Sequence, residues 1–339
     1  MSFELKRISC AEARDETYRY NSLPHSLYTG EEYEAHIYDC ELAVWFPQCK
    51  HLMKEPYFHQ HVFTTDEMQT LESASRILCL SARDPVQYEE DLVDIERRIT
   101  ANWPSIGDAG VFVRFGAASP KDSFVPRRGF MDASTIVGSL INSLRVHKNC
   151  FGRRLDHNRV LYFSRFDADW DIFNEWRVFV FDAKVVAISQ YDWTLPLPTT
   201  DVSFVHSLVT RIHEMAASVV EATSLKTFVM DVYREKDGEV KLVELNNYVC
   251  AGSCLFRWKE DAEIIPRIGA AAPTNNVVQV RIAVDSMAQE FRADVLEKQL
   301  DAEKVVVRKF ADSLATTMEI LADVTAKNKQ LAQKLKQYE

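Results

Sequence analysis

One hairpin constrains this chain more than any other feature. Thr227-Phe228-Val229-Met230-Asp231-Val232-Tyr233 reads as a strand, Lys236-Asp237-Gly238 as a turn, and Val240-Lys241-Leu242-Val243-Glu244-Leu245-Asn246 as the returning strand. Asp-Gly is a strong hairpin signal because glycine takes positive φ at no steric cost. Two acids and an asparagine therefore sit in a strand pair among apolar residues. Side chains alternate between the faces of a strand, so Asn246 leaves the same face as Glu244. Pairing around the turn can bring Asp231 opposite Glu244 or its neighbour. Carboxylates crowded in this way repel one another unless a cation lies between them. Hard oxygen ligands suit magnesium, whose shell is usually completed by phosphate oxygens. The rival reading has Asp231 facing solvent at a strand end and Glu244 paired with a lysine.

The rest of the chain supplies a mixed α+β pattern. Residues 42–47 read as strand-like, and Asp84 followed by Pro85 as the start of a helix running to about Trp103. Residues 111–115 form a short strand, and Asp132 caps a helix whose Ile136, Leu140, Ile141 and Leu144 recur at helical spacing. Strands follow at 160–163 and 176–181, the latter turning at Asp182-Ala183 into 184–190. A longer helix covers 203–222, with Val205, Leu208, Val209, Ile212, Met215 and Val219 on its core face. The first forty residues read as irregular or weakly helical, and 270–276 as a linker. Residues 285–339 contain no Pro or Gly. Phe310, Leu314, Thr317, Leu321, Val324, Asn328, Leu331 and Leu335 form a heptad seam there, with Asn328 a polar position setting register. That pattern suits a dimerising coiled coil, or else one long helix folded onto the body.

Bulk properties narrow the class. A formal net charge of -10 repels phosphate backbones at long range and argues against nucleic acid as the main partner. Seven cysteines without paired spacings fit reduced thiols better than a disulfide framework. The chain begins without an apolar leader, and no run approaches the ~18 apolar residues of a membrane span. The expectation is a soluble cytoplasmic protein with no membrane role.

Phe228-Val229-Met230-Asp231-Val232-Tyr233-Arg234, Lys241-Leu242-Val243-Glu244-Leu245-Asn246-Asn247 and Leu255-Phe256-Arg257-Trp258 together resemble the last third of the cell-division-cycle protein 123 family. Three further segments match in order: Trp45-Phe46-Pro47; 115–119 with Pro120-Lys121-Asp122; and Glu175-Trp176-Arg177-Val178-Phe179-Val180 with Ile188-Ser189-Gln190-Tyr191-Asp192-Trp193. The matches span roughly residues 42–260. The resemblance implies a two-lobed ATP-grasp fold with antiparallel sheets over 1–275, residues 1–105 forming much of the N-terminal lobe, and the helical coiled coil at 285–339 added to it. It implies bound ATP and Mg2+, with Asp231, Glu244 and Asn246 on the metal. It also implies a role as assembly factor for translation initiation factor 2, acting through the gamma subunit of that factor. Asn247 stands where the family commonly has proline, Glu244 where aspartate is usual, and Arg114 where lysine approaches the phosphates.

Other nucleotide contacts follow from residue type. Arg114 and Lys121 suit phosphate, and arginine can bind it bidentately. Arg177 alternates with inward apolar residues and so needs an anion, for which Glu175 is the candidate besides phosphate. The run with Tyr162 and Phe163 suits the adenine wall. His59 and His61 share a strand face but have no second ligand pair nearby, and Cys250 with Cys254 make a lone CxxxC, so all four read as structural. No Walker loop, dinucleotide fingerprint or catalytic triad is present. Alternatives to the assembly role are an ATP-grasp carboxylate–amine ligase acting on a protein, and a nucleotide-free scaffold dimerising through the tail.

Overall fold

The computed structural model describes residues 2–13, 29–31, 40–81, 84–104, 110–124, 129–151, 159–198, 201–249, 251–271, 273 and 277–284. The chain divides after Val284. The heptad seam, and with it the predicted coiled coil and dimer, lies outside the described residues.

The described strands are β1 (Phe3–Ser9), β2 (His59–Val62), β3 (Val111–Phe115), β4 (Val160–Arg165), β5 (Glu175–Phe181), β6 (Lys184–Gln190), β7 (Phe228–Arg234), β8 (Val240–Asn246) and β9 (Val278–Val284). They form a six-stranded sheet in the order β1-β9-β6-β5-β7-β8 and a three-stranded sheet in the order β2-β4-β3. The smaller sheet is antiparallel. The larger one is mixed: β5 pairs antiparallel with β6 and β7, and β7 with β8, but β9 pairs parallel with both β1 and β6. The expectation of purely antiparallel sheets is corrected there. Parallel neighbours need long crossover connections, and β1 and β9 come from opposite ends of the described unit.

The principal helices are α1 (Leu42–Cys49), α2 (Thr65–Ser81), α3 (Glu89–Ala101), α4 (Ala133–Asn142) and α5 (Val202–Thr223). Helices α2, α3 and α4 cover one face of the small sheet, where Leu71, Ile95 and Ile136 meet Val113, Leu161 and Phe163. Helices α1 and α5 cover one face of the large sheet, with Trp45, Val205 and Ile212 against Trp176, Met230 and Leu242. Each buried aliphatic or aromatic side chain of this kind contributes about 1.5–3 kcal/mol of burial free energy.

Most predicted elements form where periodicity puts them. α5 extends one residue past each predicted end, and Asp132 caps α4 by accepting a hydrogen bond from the Thr135 amide at 2.7 Å. Leu144, placed on the buried stripe of that helix, lies beyond its end and is 39% exposed. Three expectations are overturned. Residues 42–47 are helical, since Leu42, Trp45, Phe46 and Cys49 are buried at the 0, 3, 4, 7 spacing of one helix stripe. A short apolar run carries too few turns for periodicity to tell helix from strand. Asp84 does not start α3. A 3-10 turn over Val86–Tyr88 intervenes and Pro85 adopts ψ 45, outside the helical region. Residues 3–9, read as irregular, form an edge strand. Its Glu4, Lys6 and Arg7 hide the strand character, and charges of this kind protect a sheet edge.

Candidate functional site

The face of the large sheet opposite α5 carries a polar row. Glu244, Asp231, Arg177, Ser189 and Arg281 lie directly opposite one another across β8, β7, β5, β6 and β9. A β-bulge creates the first of these pairings. Val232 faces Leu242 while Asp231 faces Glu244, so Val243 is the extra residue. A one-residue slip flips every side chain to the other face. Without the bulge Asp231 would face Val243, and Glu244 would point with Met230 into the core beneath α5. Further along the same face the surface turns apolar, and Phe179, Phe181 and Val229 pack with Tyr248, Phe256 and Trp258.

Within the row, arginine compensates the crowded acids. Arg177 donates from Nε and Nη2 to the two oxygens of Asp231, each at 2.8 Å, and from Nη1 to the Gly252 carbonyl at 3.0 Å. Its guanidinium lies 4.9 Å from the Tyr191 ring centroid. Asn246 donates to Asp231 Oδ2 at 2.9 Å, so the amide sits on the same acid, which is only 1% exposed. The partner of Arg177 is thus Asp231 and not the expected Glu175. Nor is Asp231 at a solvent-facing strand end.

Glu244 is held from the other sheet. Arg114, on β3, places Nη1 2.9 Å from Glu244 Oε2 and Nη2 3.2 Å from Oε1, while its Nε donates to the Phe115 carbonyl at 3.2 Å. Arg114 is buried, at 6% exposed. The Glu244 side chain keeps 20% of its exposure. Burial works against the charge on both groups. For Glu244 the fields of Arg114, Lys121 and Arg177 outweigh burial and hold its carboxyl at about 2. For Arg114, Glu244 and Tyr57 likewise outweigh burial and raise its pKa. Among the described residues no arginine is paired with Glu175. Burial pushes it up to about 7, against the opposing pull of Lys121, and its Oε2 accepts a bond from Trp170 Nε1 at 3.3 Å.

A cavity of about 300 Å3 opens beside these groups. Arg114, Lys121, Glu175 and Glu244 line its charged side, and Phe112, Phe166 and Trp170 contribute aromatic walls. Tyr162 and Phe163 do not line it. Tyr162 packs in the large-sheet core and Phe163 in the small-sheet core, while the next residues, Ser164 and Arg165, reach the cavity. Lys54 is a lining residue that no motif marks. Its amide donates to the Leu242 carbonyl at 2.9 Å, fastening its segment to the edge of β8. Its ammonium lies 2.8 Å from Glu235, 3.2 Å from Asp167 and 4.2 Å from the Tyr233 ring centroid. The loop carrying Lys121 is pinned to the following helical region: Asp122 accepts from Ser143 Oγ and, at 2.9 Å, from the Arg145 amide.

Among the described residues no three His, Cys, Asp or Glu side chains converge into a self-sufficient metal cage. His59 and His61 pack on Phe163 and Phe63, and Cys254 turns its thiol to the Tyr191 carbonyl. Cys250 lies outside the described residues. Of the three predicted metal ligands Glu244 lines the cavity, whereas Asp231, opposite it in the ladder and held by Arg177, and Asn246 are not among the lining residues. A carboxylate has about four lone-pair sites, of which Asp231 uses three. Glu244 faces the cavity, and Mg2+ is commonly held by only one or two carboxylates plus phosphate.

The D123 family profile matches residues 163–314. Among solved structures, Cdc123 from Schizosaccharomyces pombe superposes with a TM-score of 0.51 at 15% identity, covering 74% of this chain and 97% of that one. Its C-terminally truncated form gives 0.52 at 16% identity, over 74% and 98%. A RimK-domain ATP-grasp protein from Sphaerobacter thermophilus reaches 0.31 at 15% identity over 61% and 75%, too slight a likeness to argue from. No curated protein matches in sequence. The Cdc123 likeness covers nearly the whole of those chains, so the mixed α+β fold described above is theirs too.

Proposed function

We propose that the chain, whose residues 163–314 match the D123 family profile and whose fold is that of Cdc123, binds ATP with magnesium in the cavity between its two sheets. The observation that carries this reading is the cavity itself. Two cationic side chains, Arg114 and Lys121, meet two acids, Glu175 and Glu244, in a space to which Phe112, Phe166 and Trp170 add aromatic walls and Lys54, Glu55, Arg165 and Asp167 add further charge. Ligand sites combine an apolar body with a few convergent polar groups in this way. Arg114 and Lys121 are the phosphate partners, and Phe112, Phe166 and Trp170 suit a flat base better than Tyr162 or Phe163. Magnesium would be held by Glu244, with the remaining lone pair of Asp231 and the Asn246 carbonyl oxygen, and would neutralise charge between carboxylates and phosphates. Arg177 stays on Asp231 in this scheme and keeps that acid oriented.

The ATP-grasp assignment and the biological role extend the same reading. Family resemblance supports an assembly factor for translation initiation factor 2, whose gamma subunit is the proposed client. Nucleotide binding would favour the partner-competent shape by linkage between the two binding events. Calorimetric titration of the chain with ATP and Mg2+ tests the first half. Saturable binding is expected, lost or weakened at least tenfold in Lys121→Ala, and a flat titration would sink the proposal. Capture of the gamma subunit that rises with Mg-ATP tests the second, and equal capture with and without nucleotide would count against it.

A further inference from the structure

The bond pattern between Arg114 and Glu244 is the one arginine uses for an oxyanion. Two Nη groups face two carboxylate oxygens, at 2.9 and 3.2 Å, in a fork that a phosphate face would match. Arg114 places Nε on the Phe115 carbonyl and also bonds the Tyr57 side chain, but among the described residues Glu244 is the one carboxylate that its Nη groups hold. The pair also joins the two sheets, β3 on one side and β8 on the other, and it borders the cavity. Glu244 has no comparable set of other holds. Asn246 supports Asp231, and Arg177 is spent on Asp231 and Gly252.

We infer that Glu244 is an internal stand-in for a phosphate oxyanion, occupying the anion site at Arg114 until an incoming oxyanion displaces it. The inference takes the identity of that anion, a nucleotide polyphosphate, from the nucleotide-binding reading. Displacement by the anion alone is costly, because it takes from Glu244 the arginine that is hydrogen-bonded to it, in a poorly solvated place where only the more distant Lys121 and Arg177 still offset its charge. A divalent cation removes that cost by giving Glu244 a new partner. Anion and cation therefore bind as a coupled pair, each weak alone, and Glu244 sets the size of the coupling. A simple phosphate pocket would lack this property, since its arginine would be free beforehand.

The experiment is calorimetric titration of the full chain, wild type and Glu244→Gln, with inorganic tripolyphosphate, in EDTA and again in Mg2+. Glutamine keeps the shape but not the charge, so Arg114 is left wanting an anion. In EDTA, E244Q is expected to bind tripolyphosphate at least tenfold tighter than wild type. Mg2+ is expected to tighten wild type tenfold or more and E244Q less than threefold. Equal or weaker binding by E244Q in EDTA overturns the inference. A Mg-ATP titration of wild type separates the two claims. If wild type binds Mg-ATP while E244Q gains nothing, internal competition is wrong and the nucleotide reading stands. If E244Q gains tripolyphosphate affinity while wild type ignores Mg-ATP, competition stands and the nucleotide reading falls. If neither protein binds either ligand, both fall. Should E244Q not fold, Glu244→Asp replaces it. Its shorter arm cannot keep both bonds across the gap, and unchanged affinity in EDTA overturns the inference equally.

Discussion

Arg177–Asp231 and Arg114–Glu244 are built from the same functional groups in different surroundings. The first lies inside one sheet, between adjacent strands, with Gly252, Tyr191 and Asn246 closing around it. The second spans two sheets and opens on a cavity, where Glu244 keeps a fifth of its side-chain exposure against 2% for Asp231. A charge pair sealed from water cannot exchange partners without leaving an unpaired buried ion. A pair at a cavity wall can, because solvent or a ligand stands ready to replace either member. That difference is why the sealed pair is read as holding β5 against β7 and why the proposed ligand exchange is placed at the open one.

The harshest way to break the comparison is Arg177→Ala. Asp231 would be left ionised and buried, and about 3–5 kcal/mol of stability should be lost, read as a lower denaturant midpoint. A loss under about 1 kcal/mol would mean that the sealed pair is not structural. Glu175 sharpens the contrast, as an acid on the same strand with no arginine. Its folded pKa of about 7 lies above the ordinary carboxyl value of 4.5. The stability linked to its proton is therefore full below that unfolded value and is lost as pH rises through about 7. Glu175→Gln should accordingly stabilise the protein by about 3 kcal/mol at pH 8 and by little at pH 4. A pH-independent difference would refute the assignment.

Glu244→Gln should cost less than Arg177→Ala, about 2 kcal/mol at pH 7, since the cavity lets water reach the abandoned guanidinium. The sign of its pH dependence is opposite to that of Glu175. A carboxyl depressed to about 2 contributes stability above its unfolded value of 4.5 and loses it as pH falls toward 2. The gap between wild type and E244Q in thermal unfolding should thus close between pH 5 and pH 2, and a gap that widens there would contradict the ion pair. The smallest effect belongs to Trp170→Phe, which removes the 3.3 Å bond to Glu175 and keeps most of the aromatic wall. About 1 kcal/mol is expected, and a larger loss would show that the indole packs more than it bonds.

These residues differ in how visible they are in the chain. The hairpin of Asp231, Glu244 and Asn246 is legible because a glycine turn and two apolar strands are local features, and β8 has the bounds its pattern predicts. Helix α5 is legible for the same reason, having enough turns to display its period. Helix α1 is not, since eight residues with proline inside look like a strand until burial selects one stripe. Lys54 has no local mark. Its place depends on a single backbone bond to Leu242, far along the chain, and on acids from two other segments.

Sequence alone determined that two acids and an amide would share a strand pair, and that Arg114, Lys121, Glu175 and Arg177 were the ionic groups to watch. It could not say which acid each arginine would hold. Tertiary structure decided that Arg177 takes Asp231 and Arg114 takes Glu244, through a one-residue bulge and the approach of a second sheet. The physical reason is that local propensity acts over a few residues. Partner choice is set by register and by contacts between segments as far apart as β3 and β8, and one extra residue in a ladder reverses which face an acid meets.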